Sequence, residues 1–143
     1  MKLNSSASVP ASADAVRATF ANPVALLDGL DMIALIPTGP GEWDMEVEMG
    51  GRKESGTLRH IETVGDTVRH EALSAGMQVL IAGTCVPSGD TTDLTVDVEM
   101  KAKSMKAKML LPALSMAQSQ IEKGLDKALG KLARRMGEDH AAT

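Results

Sequence analysis

His70 is the side chain best placed for chemistry. It falls in Thr67–Leu73, which is joined to Gly56–Val64 through Gly65-Asp66. If that dipeptide is a two-residue hairpin loop, Glu62 faces Arg69, His60 faces Glu71 and Ile61 faces His70. One sheet face then carries ion pairs, and the other carries Ile61, Thr63, Val68, His70 and Ala72. On that register His70 points inward, where an imidazole that titrates near neutrality serves as a general base or as a ligand's hydrogen-bond partner, whereas a slip of one residue exposes it. No second acid or base is set beside it by the sequence, so His70 is a lone candidate.

The other reactive side chains read more blandly. His60, His70, His140 and Cys85 lack metal-ligand spacing, so no metal or other cofactor is expected. Cys85 lies on an expected inner strand and behaves there as a small apolar residue. The carboxylates Asp44, Glu46 and Glu48, and Asp93, Asp97 and Glu99, alternate with apolar residues. That pattern describes a solvated sheet face rather than paired catalytic acids. No phosphate-binding glycine loop, nucleophile elbow or Cys-His signature occurs.

The charge is unevenly divided. Residues 1–100 carry six Lys/Arg against fifteen Asp/Glu, a net −9, whereas residues 101–143 carry nine against four, a net +5. Lys123, Lys127 and Lys131 lie four apart and form one helical stripe that Arg134 and Arg135 continue. Lys101, Lys103, Lys106 and Lys108 form a second cluster. A solvated face with cations near a helix C-terminus explains the stripe, and docking to an acidic protein or an anionic membrane surface is its functional alternative. Nucleic acid is excluded as a partner by the acidic total and by the scarcity of stacking side chains, Phe20 and Trp43 being the only aromatics.

These residues must be positioned by a sheet and a helix. Apolar residues recur every three or four positions at Leu110, Leu114, Ala117, Ile121, Leu125, Ala128, Leu132 and Met136, which predicts a C-terminal helix within 105–137. Pro112 fits a first turn, so the continuous helix is expected from about Leu111 to Gly137, roughly 37 Å long. Residues 1–10 read as a first strand. Ser12 and Asn22-Pro23 then start two short helices within 12–30, the second stopping at Gly29. Over 31–102 the period becomes two. Trp43, Met45, Val47 and Met49 face inward on one strand, and Leu94, Val96, Val98 and Met100 do so on the last, with Gly/Asp/Pro/Ser turns between successive strands. Sequential hairpins make an antiparallel meander. The 143 residues suffice for one domain with one core.

Strand, two short helices, six-strand meander and long terminal helix is the element order of the α+β helix-grip fold, in which about seven strands curve around the helix. The chain also resembles a known family in Val9-Pro10-Ala11-Ser12-Ala13-Asp14-Ala15-Val16, Asn22-Pro23-Val24-Ala25-Leu26, Asp28-Gly29-Leu30, Ser55-Gly56-Thr57-Leu58 and the run Asp90–Val98. It looks like the START-like (SRPBCC) superfamily of polyketide cyclase-like proteins, with its closest likeness to the bacterial carbon monoxide dehydrogenase G-like proteins. It departs from many relatives in having Asp28-Gly29 after the second helix, and Met, Val and Leu where others place aromatics in the sheet. The resemblance implies a cavity for hydrophobic molecules between sheet and helix.

The expected cavity lining is therefore Phe20 and Met32 from the helical region, Trp43, Met45, Val47, Met49, Ile61 and His70 from the early strands, Val96, Val98 and Met100 from the last strand, and Met109, Met116 and Ile121 from the C-terminal helix. Non-catalytic binding or carriage of a lipid-like or polyketide-like molecule is the expected function. A cyclase or dehydratase using His70 and an accessory factor for assembly or membrane recruitment of a larger enzyme, such as a carbon monoxide dehydrogenase-like complex, are the alternatives. No charged-then-apolar leader opens the chain and no apolar run approaches the ~18 residues of a bilayer span, so a cytoplasmic location is expected.

Overall fold

A computed structural model of the chain describes residues 1–24, 33–49 and 51–142, the side chains of Met49 and of 139–142 excepted. Its strands are β1 (Lys2–Val9), β2 (Ile33–Gly39), β3 (Glu42–Met49), β4 (Arg52–Val64), β5 (Thr67–Ser74), β6 (Met77–Ser88) and β7 (Thr91–Ala102). They form one antiparallel sheet in the order β1-β7-β6-β5-β4-β3-β2. All neighbours but one are joined by successive hairpins. The exception is the pairing of β1 with β7, which runs from Lys2↔Glu99 to Val9↔Thr92. The fold class expected from the sequence is thus observed. The second short helix, expected from Asn22 to Gly29, lies largely outside the described residues.

Helix α1 (Ala13–Ala21) starts where the sequence signals it, because the Ser12 hydroxyl accepts the Ala15 amide at 3.1 Å. Its Val16 and Phe20 are buried against β5 and β6. The Phe20 ring rests on the bare α-carbon of Gly83, where a β-carbon would come within 2.5 Å of the ring.

The C-terminal helix departs from expectation. Its first part, α2 (Met105–Met116), is capped by Ser104, whose hydroxyl accepts the Ala107 amide at 3.1 Å, so the helix starts before Leu111 and encloses Pro112. Ser104 wins because a side-chain acceptor at the N-cap is worth about 1 kcal/mol, and the β5–β6 turn fixes the spot. There the Gly76 carbonyl accepts the Lys103 amide at 2.7 Å, and a β-carbon on Gly76 would collide with the Ser104 hydroxyl. The helix breaks at Ala117 and continues as α3 (Gln118–Ala142). The single continuous helix of the sequence reading is therefore two helices.

Helix α3 packs along β1. The Ser5 hydroxyl donates to the Asp126 carboxylate, and the Gln118 side-chain amide donates to the Lys2 carbonyl at 3.1 Å. Ala128, Leu129 and Leu132 enter a core with Val9, Val16, Phe20, Val68, Cys85, Leu94 and Val96. A second cluster, Trp43, Met45, Leu58 and Ala72, sits on the β3–β5 side of the sheet, and Ile81 touches both clusters. Full burial of a side chain such as Leu129 or Phe20 contributes about 1.5–3 kcal/mol.

Candidate functional site

The strand registers align one inward row across five strands. Leu3 pairs with Val98, Val98 with Ile81, Ile81 with His70 and His70 with His60. A half-open cavity of about 620 Å³ lies at this row and is lined from both sheet faces: Leu3, Val98, Ile81, His70 and Ile61 contribute together with Lys2, Leu80, Ala82, Asp97, Glu99, Glu62 and Arg69, whose strand positions alternate with the row.

A β-bulge builds the histidine end of the row. The Gly65-Asp66 loop and the Glu62↔Arg69 pair are as the sequence predicts, but the register shifts at Ile61. Arg59, rather than His60, then faces Glu71, and the two form an ion pair at 2.9 Å. The extra residue turns His60 toward His70, with ring centroids 5.4 Å apart. The expected pairs His60–Glu71 and Ile61–His70 are corrected accordingly. A bulge leaves two residues opposite one, and the arginine–carboxylate pair adds a charge-assisted contact to this register.

His70 is 2 % exposed. Its Nε2 lies 2.9 Å from the Phe20 carbonyl oxygen, near the C-terminal end of α1 where carbonyls lack helical partners. A carbonyl only accepts, so Nε2 carries the proton and the neutral ring presents Nδ1 as a bare acceptor. Nδ1 is buried and meets no partner at hydrogen-bond geometry among the described residues, although the Arg59 backbone lies near the ring. Burial lowers the His70 pKa below the usual 6.5 and the nearby His60 adds to this, against the opposing pull of the Phe20 and Arg59 carbonyls. The ring is therefore neutral at pH 7. His60 is engaged elsewhere, with its Nε2 2.8 Å from the Thr63 hydroxyl. Burial also pushes the Cys85 thiol up, consistent with an inert apolar role.

The other expected lining residues are dispersed. Phe20 and Val96 are buried in the first core cluster and Trp43 and Met45 in the second, with Val47 packed against the latter. Val98 and Met100 are half-buried on β7, and Ile121 is half-buried on α3. Ile61 reaches the cavity from the bulge but is 45 % exposed. Met109 and Met116 are 78 % and 90 % exposed and do not line this cavity; Met116 instead borders a shallow surface pocket with Glu122, Lys123 and Asp126. Both methionines lie on the side of α2 opposite Ala107, the residue that α2 buries. Met32, the side chain of Met49 and that of His140 lie outside what is described. Lys123 and Lys127 are exposed and Lys131 is half-buried. Asp44, Glu46, Glu48, Asp93 and Asp97 are exposed, on the outer sheet face.

Leu3 and Ile81 line the cavity without being singled out by the sequence reading. The signal for Leu3 is its alternation with Lys2 and Asn4, and for Ile81 its place opposite His70 in a regular β5–β6 hairpin. Among the described residues no group of three or more His, Cys, Asp or Glu is arranged to hold a metal ion. No described helix is long and apolar enough to cross a membrane.

The sequence matches no protein-family model and no curated protein. Its structure is similar to solved ones. A START superfamily protein from Mycobacterium smegmatis aligns over 94 % of this chain and 98 % of its own, at 16 % identity and a TM-score of 0.68. The Zhui aromatase/cyclase from Streptomyces sp. R1128 aligns over 94 % of both chains, at 16 % identity and a TM-score of 0.65. The di-domain aromatase/cyclase StfQ of the steffimycin biosynthetic pathway aligns over 99 % of this chain and 52 % of its own, at 13 % identity and a TM-score of 0.69. At such identities the likeness is one of fold, and with the sheet order and terminal helices described above it establishes that the chain has the START-like helix-grip fold.

Proposed function

We propose that the protein binds and carries a hydrophobic small molecule, without covalent chemistry, in the cavity over the Leu3-Val98-Ile81-His70 row. The observation that carries this reading is the buried Nδ1 of His70, without a partner among the described residues, beside a cavity that Leu3, Val98 and Ile81 line together with the charged Lys2, Glu62, Arg69, Asp97 and Glu99. An unsatisfied buried acceptor costs about 1–3 kcal/mol, which a ligand hydroxyl or N–H donating to Nδ1 would offset. A volume of about 620 Å³ is within the range of small-molecule sites. Leu3, Val98 and Ile81 supply apolar contact for a lipid-like or polyketide-like skeleton.

The second reading is a cyclase or dehydratase in which His70 Nδ1 removes a proton. It is favoured by the neutral state of the ring and by the aromatase/cyclase names of two structural neighbours. Carriage is preferred because His60, the nearest titratable ring, is held by Thr63 rather than poised as a partner acid.

Mass spectrometry of organic extracts from the purified protein tests the proposal. Wild-type protein should yield an apolar compound bearing a hydroxyl or N–H, and His70→Phe should retain about tenfold less, as expected for one lost hydrogen bond of ~1.4 kcal/mol. A compound released chemically changed would favour the cyclase reading. Equal retention by both proteins would remove His70 from the site.

A further inference from the structure

Helix α2 has two apolar sides. Ala107, Leu111 and Leu114 face inward, Ala107 being fully buried and the leucines half-buried. Met105, Met109, Pro112 and Met116, spaced four, three and four apart, form a stripe on the opposite side. The three methionines are 74 %, 78 % and 90 % exposed. Lys106 and Lys108 flank the stripe, one on each side by the 3.6-residue period, and Lys103 precedes the helix. From Met100 to Ile121 the sequence contains four lysines and no carboxylate, and the carboxylates of Glu122 and Asp126 lie at the Met116 end of the stripe beside Lys123. Lys106 reaches Glu54 only at 4.0 Å and with both groups exposed, and Lys101 pairs with Glu99 at 3.3 Å.

We propose that α2 docks the protein on an anionic lipid bilayer, the three methionines entering the acyl boundary and Lys103, Lys106 and Lys108 meeting the headgroups. The lysines decide between a bilayer and a protein partner. Lysine is depleted in protein interfaces, whereas helices that lie in a membrane interface combine an apolar stripe with lysines on their polar flanks. Twelve residues make a helix of about 18 Å, too short to span a ~30 Å hydrocarbon core but suited to lying in the interface plane. The stripe on α3 lacks this combination, because no large apolar side chain among the described residues of α3 is exposed beside Lys123 and Lys127. Docking through α2 does not depend on the cavity or on His70.

Flotation with vesicles of phosphatidylcholine alone, and of phosphatidylcholine with about one part in three phosphatidylglycerol, tests it. Wild-type protein should float with the mixed vesicles at low salt, lose most binding as salt screens the lysines beyond ~8–10 Å, and ignore the neutral ones. Lys106→Gln/Lys108→Gln should weaken binding about fivefold per lysine. Met105→Ser/Met109→Ser/Met116→Ser should weaken it at least about tenfold with an unchanged melting temperature, because those side chains are largely in solvent. Absence of wild-type flotation at low salt would overturn the proposal, as would binding that the methionine variant leaves intact. A wild-type dimer that this variant converts to monomer, without vesicle binding, would make the stripe an interface between copies instead.

Discussion

The Phe20 ring occupies the space that a side chain on Gly83 would need, and the Phe20 carbonyl in turn holds the His70 ring. One glycine on β6 thus fixes the orientation of the candidate ligand acceptor. Gly83→Ala should destabilise the fold by about 1–3 kcal/mol in urea unfolding, since the buried ring has to move. Gly124→Ala, in α3 with open space around it, should instead stabilise by about 0.5–1 kcal/mol.

His70 makes stability depend on pH. Its folded pKa lies below 6.5, so the unfolded chain binds the proton more readily and acid favours unfolding. The contribution is fully present above about pH 6.5 and is lost as pH falls through the folded value. One proton sets a slope of at most about 1.4 kcal/mol per pH unit. His60 faces the same ring, and Glu62 and Arg69 border the cavity, so His70→Phe should flatten rather than abolish the slope between pH 6.5 and 5. An unchanged slope would show that His70 is not buried neutral.

Leu129 is fully buried in the first core cluster, whereas Met116 is 90 % exposed on the preceding helix. Leu129→Ala should cost about 2–5 kcal/mol. Met116→Ala should stay within about 0.5 kcal/mol in the same unfolding assay.

Ser5 is buried under α3 and donates to Asp126. Ser5→Ala should cost about 0.5–1.5 kcal/mol. Amide hydrogen exchange should rise in α3 and β1 more than in β3 and β4, because the bond ties the helix to the first strand.

The meander was legible because β3 and β7 alternate cleanly over their length, and a slip of one residue would have buried their carboxylates. The bulge at Ile61 was not, since hairpin loop length predicts a regular ladder, whereas the structure sets Arg59 rather than His60 opposite Glu71. Periodicity likewise placed Met109 and Met116 on a helix face without telling which face is dry. With Ala107, Leu111 and Leu114 on one side of α2 and the methionines on the other, both sides carry an apolar stripe. His70 was legible as inward-facing, but its bare Nδ1 depends on the Phe20 carbonyl, fifty residues away in sequence.

The pairing of β1 with β7 also governs the order of events on the ribosome. The Asn4 side chain donates to Asp97, ninety-three residues later. The first strand emerges without its partner and waits, as an open edge, until β7 has been made. Such non-local closure is slow, so a nascent chain stalled before β7 is the aggregation-prone species. Moving β1 behind β7 by circular permutation would shorten that wait.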